Sequence, residues 1–307
     1  MLNKHIKPIY WQLLTKIKNN KSYRPQHVVN TLIRPFSDND LPKYHDELMI
    51  GPPDFIGVGI PKAGTSWWYK LLIEHPSILE HLLYSEQSAT SKELHYFIHY
   101  TNKEYNKDHI ETYYKVFPRK KGQICGELTT RYMSHPGCIE LIKKTAPDTK
   151  IFVILRNPIY RTLSHINHTL VKRGKRFNLQ DDNAKLFKLY SVFSEAYIYS
   201  FYSDPIKRIY DLFDKSNVLI LQYEKCKLNT IEEIAKTYRF LGVDDAFVPS
   251  SIRTPVNRFD YVTDKPSKEM IQYLRNYFTE DVNRTVELCP EIDLTLWEEF
   301  CDDYELF

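Results

Sequence analysis

This 307-residue sequence lacks the features that mark several large classes of protein. Its apolar runs are all far shorter than the roughly 18–20 residues that a helix needs to cross a bilayer. Lys4, Lys7 and Trp11 interrupt the stretch in which a signal peptide would place its hydrophobic region. Only 9 glycines occur, and no repeat or low-complexity run is visible. We therefore expect no transmembrane segment, no signal peptide and no repeat architecture.

Charge and cysteine content exclude further classes of protein. The formal net charge is only +3 and no nucleic-acid-binding module is recognisable, so no nucleic-acid partner is expected. With 42% hydrophobic residues, the chain can bury a core large enough for one α/β domain. The cysteines show neither Cys-x-x-Cys pairing nor zinc-ligand spacing, which favours reduced thiols at Cys125, Cys138, Cys226, Cys289 and Cys301.

The most informative stretch is residues 54–66, which has the order of a buried strand, a tight turn and the start of a helix. Phe55 and Val58 favour the strand, Gly64 permits the turn, and the helix begins near Thr65. The first N–H groups of a helix have no partner within it and carry partial positive charge. A phosphate or sulfate group is therefore a natural ligand at this position.

The position of the lysine separates this turn from a nucleoside-triphosphatase loop. Such a loop needs Gly-Lys followed by Ser or Thr, with the hydroxyl on a magnesium ion. Here Thr65 follows Gly64 where that lysine would stand, and Lys62 lies two residues before the glycine. The pattern favours a ligand whose leaving phosphate meets a cation at the turn without a metal. For this segment alone, a chance strand-turn-helix is the alternative.

Residues 150–165 predict a second anion-binding element. Residues 151–155 form an unbroken apolar run, which is typical of a parallel strand covered on both faces. Arg156 follows at its carboxyl end, where ligands bind in open α/β sheets. Ser164 lies about two helical turns beyond Pro158, so its hydroxyl can return toward Arg156. A guanidinium fork with a hydroxyl is a good clamp for a phosphate monoester.

Together the two segments resemble the sulfotransferase family. The Pro-Lys-x-Gly-Thr-Ser loop of that family grips the 5′-phosphosulfate of 3′-phosphoadenosine-5′-phosphosulfate, and its Arg and Ser bind the 3′-phosphate. The resemblance implies this donor, the product adenosine 3′,5′-bisphosphate, and no metal. Arg161, which fits the family pattern too, is expected to cap its helix or face solvent. The donor-binding positions implied here are Pro61, Lys62, Ala63, Gly64, Thr65, Ser66, Arg156 and Ser164.

Two shorter segments extend the resemblance and supply candidates for catalysis. Residues 92–97, Lys-Glu-Leu-His-Tyr-Phe, look like a stretch of the glycan-directed branch. Residues 126–132 look like the segment whose Glu is the proposed catalytic base, which implies that role for Glu127, just past a strand end. His95 is the second candidate because an imidazole titrates near neutrality; a hydrogen-bonded core histidine is the alternative. Lys62 is expected to stabilise the leaving phosphate.

The sequence says less about the acceptor of the sulfuryl group than about its donor. The resemblance implies in-line attack on sulfur by a hydroxyl or amine of a carbohydrate or glycolipid. O- against N-sulfation and the oligomeric state stay open. Family members of the Golgi generally carry a membrane anchor that this sequence lacks, so we expect a cytoplasmic protein of bacterial origin. The candidate acceptor-binding residues are Lys92, His95, Arg131 and Tyr132.

Two other functions compete with the sulfotransferase hypothesis. A P-loop kinase or nucleotidase would need the Gly-Lys-Ser/Thr loop, which is absent. A catalytically inactive nucleotide-binding scaffold stays open because Leu128 stands where the family has Lys, and Thr130 where it has Pro.

Residues 1–47 are predicted to form an amphipathic helix, at 3–18, and a connecting arm, while residues 48–307 form a single sulfotransferase domain. The helix either docks on the domain or makes peripheral contact with a membrane surface or partner. The predicted fold class is α/β, a three-layer P-loop-NTPase-like fold with a central parallel sheet flanked by helices. Strands are predicted near 54–59, 123–127, 151–155 and 218–221, and helices near 64–75, 137–145, 157–171, 188–214 and 230–241.

Two further regions have a predicted structure. Residues 80–118 are rich in Tyr and His, and we expect them to be irregular and to supply part of the acceptor cleft. The tail from residue 265 is predicted to be helical, with Ser267 as its N-cap and Met270, Leu274 and Phe278 at helical spacing.

Overall fold

A five-stranded parallel sheet forms the centre of the computed structural model, which describes residues 35–41, 48–83, 92–172, 195–253 and 266–301. The strand order is β2-β3-β1-β4-β5. The sheet with its flanking helices confirms the predicted α/β fold. The strands are β1 Phe55–Gly59, β2 Ile78–Leu79, β3 Ile124–Leu128, β4 Lys150–Leu155 and β5 Val218–Gln222.

All four predicted strands are present, and only β2 was not foreseen, because two residues carry too little pattern. Every residue of β1 is buried, as expected for the centre of a parallel sheet. A Cβ at Gly57 would lie 2.6 Å from both Leu128 Cγ and Phe152 Cζ, so these two side chains pack across the glycine. The family's Lys position, occupied here by Leu128, therefore belongs to the core.

The helices predicted near 64–75, 137–145, 157–171 and 230–241 are confirmed. The tail is helical over Lys268–Leu288, where the Ser267 hydroxyl accepts a hydrogen bond from the Met270 N–H at 3.3 Å, and a 3-10 helix follows at Leu294–Phe300; residues 302–307 lie outside the described residues. The helices are α1 Thr65–Ile73, α2 Lys107–Tyr114, α3 Cys138–Thr145, α4 Pro158–Lys172, α5 Glu195–Ile198, α6 Ser203–Leu212, α7 Tyr223–Leu228, α8 Thr230–Leu241 and α9 Lys268–Leu288.

The single helix predicted over 188–214 is wrong in its described part, where α5 and α6 are separate helices. Pro205 cannot donate the backbone bond that a continuous helix would need. Asp281 of α9 supplies partners for the new helix start: it accepts from the Tyr202 N–H at 2.7 Å and from the Ser203 hydroxyl at 2.5 Å. Residues 188–194 of that prediction lie outside the described residues.

The expectation that residues 80–118 are irregular is wrong in part, whereas their predicted share in the acceptor cleft stays a prediction and residues 84–91 lie outside the described residues. This region contains α2 and a 3-10 helix, Tyr96–Tyr100. Tyr96 and Tyr113 are wholly buried and stack with their ring centroids 5.0 Å apart, so the aromatic residues fill the core. Phe36 lies 4.5 Å from the Tyr96 ring, which docks the described end of the predicted arm on this cluster.

The predicted amphipathic helix at 3–18 lies outside the described residues, and the domain boundary at 47/48 stays a prediction. Among the helices of the described ranges, none is both long and apolar enough to span a bilayer.

Asp281 should be a major determinant of stability. Asp281→Ala removes the acceptor of two buried backbone N–H groups and one hydroxyl. Urea unfolding should show a loss of roughly 3 kcal/mol, since buried donors without acceptors are costly. Glu280→Ala, at the exposed neighbouring position, is the control and should change stability by less than about 0.5 kcal/mol. Equally small losses in both variants would show that Asp281 does not anchor the start of α6.

Candidate active site

The loop between β1 and α1 has the conformation that its sequence predicts. Gly64 caps the helix with φ at +78°, in the left-handed region that glycine favours. A Cβ at this position would lie 2.7 Å from Cε2 of Tyr223, the first residue of α7. Helix α1 therefore begins directly beyond the carboxyl end of β1, with its first N–H groups at the loop.

Arg156 joins the second predicted segment to this loop. Its Nη1 donates to the Lys62 carbonyl at 2.9 Å, and its guanidinium carbon lies 4.8 Å from the centroid of the Tyr223 ring. Because β1 and β4 are neighbours in the sheet, their carboxyl ends lie side by side. Lys62 and Arg156 thus belong to one site, which also includes Tyr223.

Buried carboxylates behind Arg156 fix the turn that follows it. Glu224 accepts from the Asn157 N–H and from Trp297 Nε1, both at 3.0 Å, and burial raises the pKa of this carboxyl. The Asn157 amide donates to Glu299 at 2.7 Å. Sequence reasoning did not find this support, because Trp297 and Glu299 lie about 140 residues away in the chain.

Arg161 is not at the surface, contrary to the sequence prediction. The side chain is wholly buried, and its Nη1 donates to the Pro61 carbonyl at 3.2 Å. It also bonds Ser200 Oγ at 2.6 Å and the Ala196 carbonyl. The side of α4 that carries Arg161 packs against the loop, because β4, the strand that α4 follows, lies next to β1.

Ser164 lies on the same helix and is partly buried. Its predicted contact with the 3′-phosphate stays a prediction. The Nδ1 atom of its neighbour His165 lies 3.4 Å from Arg161 Nη1. Burial, the charge of Arg161 and the charge of Lys62 lower the pKa of His165, so this imidazole is neutral and close to the loop lysine.

Glu127 lies inside β3, not past its end, and its side chain is 0% exposed. Its oxygens accept from Tyr113 and Thr129, both at 2.6 Å, from the Leu94 N–H at 3.3 Å and from Tyr132 at 3.2 Å. Burial raises the pKa of Glu127 to about 7. The expectation that this carboxylate faces an acceptor is not supported, because protein donors surround it.

Two predicted acceptor-binding residues also belong to the interior. Tyr132 is wholly buried and donates to Glu127, so it has no surface for an acceptor. Lys92 is 4% exposed and donates to Glu93 Oε1 at 2.8 Å. Its ammonium therefore neutralises Glu93, a residue to which the sequence assigned no role. Lys92, Glu93 and His95 stand within four positions of the sequence, and this cluster of titratable residues is the signal that could have pointed to Glu93.

Glu93 and His95 form a partly exposed pair at the end of this segment. Glu93 Oε2 lies 3.4 Å from His95 Nε2, and the two side chains are 15% and 12% exposed. Thr130 donates to the same carboxylate oxygen at 3.2 Å. His95 Nδ1 has no hydrogen-bond partner among the described residues. Glu93 therefore orients the ring from Nε2, whereas Nδ1 is buried and has no partner there.

Electrostatics connects this pair to the donor loop. Burial, Arg131 and Lys92 lower the pKa of His95 to about 4, although Glu93 opposes them. The charge of Arg131 also lowers the pKa of His165, which the charge of Lys62 reaches as well. Arg131 itself is ion-paired with Glu195. The charge of Arg131 therefore acts on both histidines, and that of Lys62 on His165.

A family model described as "Sulfotransferase domain" matches residues 52–287, which is well over half of the chain. The chain belongs to the sulfotransferase-domain family. A solved sulfotransferase from Alicyclobacillus acidocaldarius has a TM-score of 0.60 at 22% identity, and the match covers 81% of this chain and 99% of that one. This structural likeness supports the fold alone.

Curated relatives of this sulfotransferase-domain chain match over a shorter stretch. The membrane-associated sulfotransferase kil1 of Dictyostelium discoideum is 32% identical over 127 residues, covering 40% of this chain and 25% of that protein. Heparan sulfate glucosamine 3-O-sulfotransferase 3B1 of Mus musculus is 31% identical over 122 residues, covering 39% and 28%. The chain thus spans little more than a quarter of the length of these relatives.

The sulfotransferase domain also has a cavity of about 350 Å³ that is separate from this site. It lies at the amino ends of the strands, between Asp54, Arg119 and Lys150. Arg119 is paired with Asp54, and Lys150 donates to the Phe240 carbonyl. Since β1 and β4 separate this cavity from the Lys62 loop, it has no part in the predicted donor site.

Glu127 should make stability depend on pH in a defined direction. Its folded pKa, about 7, lies above the usual value of 4.5, so the unfolded chain ionises first as the pH rises. Its contribution is complete below about pH 4.5 and is lost as the pH rises through 7. Compared with Glu127→Gln, the wild-type free energy of unfolding should fall by up to roughly 3 kcal/mol over this range in urea titrations. A difference that does not change with pH would contradict the assignment.

Proposed function

We propose that this chain transfers the sulfuryl group of 3′-phosphoadenosine-5′-phosphosulfate to a hydroxyl or amine of a carbohydrate acceptor. The observation that carries the proposal is the 2.9 Å contact between Arg156 Nη1 and the Lys62 carbonyl. It brings together two elements, each suited to a phosphate, at neighbouring strand ends. Membership of the sulfotransferase-domain family supports the reaction class.

The residues present fit such a nucleotide. Gly64 lets the start of α1 approach Tyr223 closely, where a larger residue would clash, and the first N–H groups of the helix favour an anion. Lys62 and the N–H groups of residues 64–66 would hold the 5′-phosphosulfate, whereas the Ala63 N–H donates to the Ile60 carbonyl at 3.3 Å. Arg156 and Ser164 would hold the 3′-phosphate. When bound, the donor supplies an activated sulfuryl group with a phosphate as leaving group, and cations and N–H dipoles at the loop would stabilise that charge.

The Glu93–His95 pair is the best-placed proton acceptor. The lowered pKa keeps His95 neutral near pH 7, with Nε2 3.4 Å from the Glu93 carboxylate and Nδ1 buried without a partner among the described residues. An acceptor hydroxyl or amine at the exposed edge of this pair would lose its proton to the pair. Glu127 would position His95 without contacting the acceptor. Its carboxylate accepts from the Leu94 N–H and from the Thr129 hydroxyl, and the oxygen of that hydroxyl accepts from the His95 N–H.

The relatives favour a glycan acceptor. The names of several refer to heparan sulfate, including a Mus musculus bifunctional heparan sulfate N-deacetylase/N-sulfotransferase 4 that is 25% identical over 208 residues. Arg131 lies within electrostatic reach of His95, so an anionic or hydroxyl-rich acceptor suits this side of the site. A glycolipid is a second acceptor of the same chemistry.

Calorimetric titration with adenosine 3′,5′-bisphosphate in the presence of chelator tests the donor site. Arg156→Ala should weaken binding about 10- to 100-fold, because a charge-assisted hydrogen bond to phosphate is lost. Arg239→Ala changes an exposed arginine on α8, and it should leave the affinity unchanged. Magnesium-dependent ATP binding instead would favour a kinase or nucleotidase and contradict the proposal.

Transfer of labelled sulfate to a panel of glycans tests the proton acceptor and separates an enzyme from an inactive scaffold. His95→Asn should lower turnover at least about 100-fold with product binding nearly unchanged, and Glu93→Gln should lower it by a smaller factor. His99→Asn, on the 3-10 helix that His95 caps, is the matched control. Full turnover in both His95→Asn and Glu93→Gln would exclude this pair as the base.

A further inference from the structure

Arg161 lies directly beneath the donor loop and has an unusual environment. The guanidinium is 0% exposed and contacts the loop at the Pro61 carbonyl, 3.2 Å from Nη1. Its remaining bonds reach Ser200 Oγ at 2.6 Å, the Ala196 carbonyl and His165 Nδ1 at 3.4 Å. Arg161 therefore connects the donor loop to α4 and α5.

Every one of these partners is neutral. Burial lowers the pKa of His165 and raises those of Tyr199 and Tyr202, so neither the imidazole nor the phenols are charged near pH 7. No carboxylate lies within ion-pair distance of Arg161 in the described part of the chain. The charged side chain that acts on it is Arg156, a like charge, and burial together with that charge lowers the pKa of Arg161 to about 10.

A buried charge without a counter-ion is unfavourable for the protein alone. The same charge is favourable when an anion occupies the neighbouring loop, because Coulomb attraction is strong away from water. Since Arg161 contacts Pro61, the residue before Lys62, the anion nearest to it would be the one held at the Lys62 turn. The missing counter-ion is thus explained by the ligand.

We infer that Arg161 is a positioning residue of the donor site: it holds the Pro61–Lys62 turn through the Pro61 carbonyl, and its buried charge selects for the 5′-phosphate end of the nucleotide. This inference rests on the proposed function. It extends that function because Arg161, which does not touch the nucleotide, contributes to the preference for a nucleotide that carries a 5′-phosphate as well as a 3′-phosphate.

Thr162 provides the matched control. It is the next residue of α4, is also 0% exposed, and bonds the same Ser200 hydroxyl at 2.6 Å. Thr162→Val removes a buried hydrogen bond of this network without altering charge or the contact to Pro61. A purely structural role for Arg161 would make the two positions behave alike.

The experiment is calorimetric titration of the full chain with two probes, adenosine 3′,5′-bisphosphate and adenosine 3′-monophosphate. In Arg161→Gln, the Kd for the bisphosphate should rise about 10- to 100-fold, and that for the monophosphate by less than about threefold. Thr162→Val should lower the melting temperature and leave both affinities within about twofold. Arg161→Lys keeps the charge without the fork and should lose less bisphosphate affinity than Arg161→Gln.

Equal losses for the two probes in Arg161→Gln, or no loss for either, would overturn the inference. If Arg161→Gln does not fold, Arg161→Lys decides: a loss confined to the bisphosphate supports the inference and an equal loss for both probes overturns it. Wild type that binds neither probe would instead refute the proposed function itself, so the two failures are distinguishable.

Discussion

The hydrogen bond from Arg156 to the Lys62 carbonyl, 2.9 Å long, is the contact on which the rest of the site depends. It exists because β1 and β4 are neighbours in a parallel sheet, so that the residues after each strand emerge at the same edge. Tyr223, which follows β5, contacts both Gly64 and Arg156. The residues that follow three neighbouring strands, β1, β4 and β5, therefore meet in one region although they are far apart in the chain.

Charged side chains are distributed unevenly around this region. Carboxylates lie behind the Arg156 turn, at Glu224 and Glu299, whereas Arg161 beneath the loop has neutral partners. Carboxylates thus lie on the Arg156 side of the loop, and none lies within ion-pair distance of Arg161 among the described residues. At the far side, the buried Lys92 pairs with the partly exposed Glu93, which orients His95. We assign donor binding to the residues after β1 and β4, and proton transfer to Glu93 and His95. The charges of Lys62 and Arg131 both act on His165.

Much of the fold followed from the sequence, because buried strands such as residues 151–155 and the capping residue Ser267 leave local patterns. The errors arose where distant side chains decide the outcome. The break before α6 depends on Asp281, and the fate of Glu127 depends on donors from three other segments. Arg161 was misplaced for the same reason, since nothing in its neighbours along the chain shows that the helix faces the loop. Local spacing predicts elements, whereas burial of polar groups requires the packed structure.

The central claim is that a single nucleotide joins the Lys62 turn to Arg156. A crystal structure of the chain with adenosine 3′,5′-bisphosphate tests it most directly. The account predicts the 5′-phosphate at the Lys62 turn and the start of α1, and the 3′-phosphate on Arg156 and Ser164. A bisphosphate bound elsewhere, or one whose two phosphates both avoid Arg156, would contradict it.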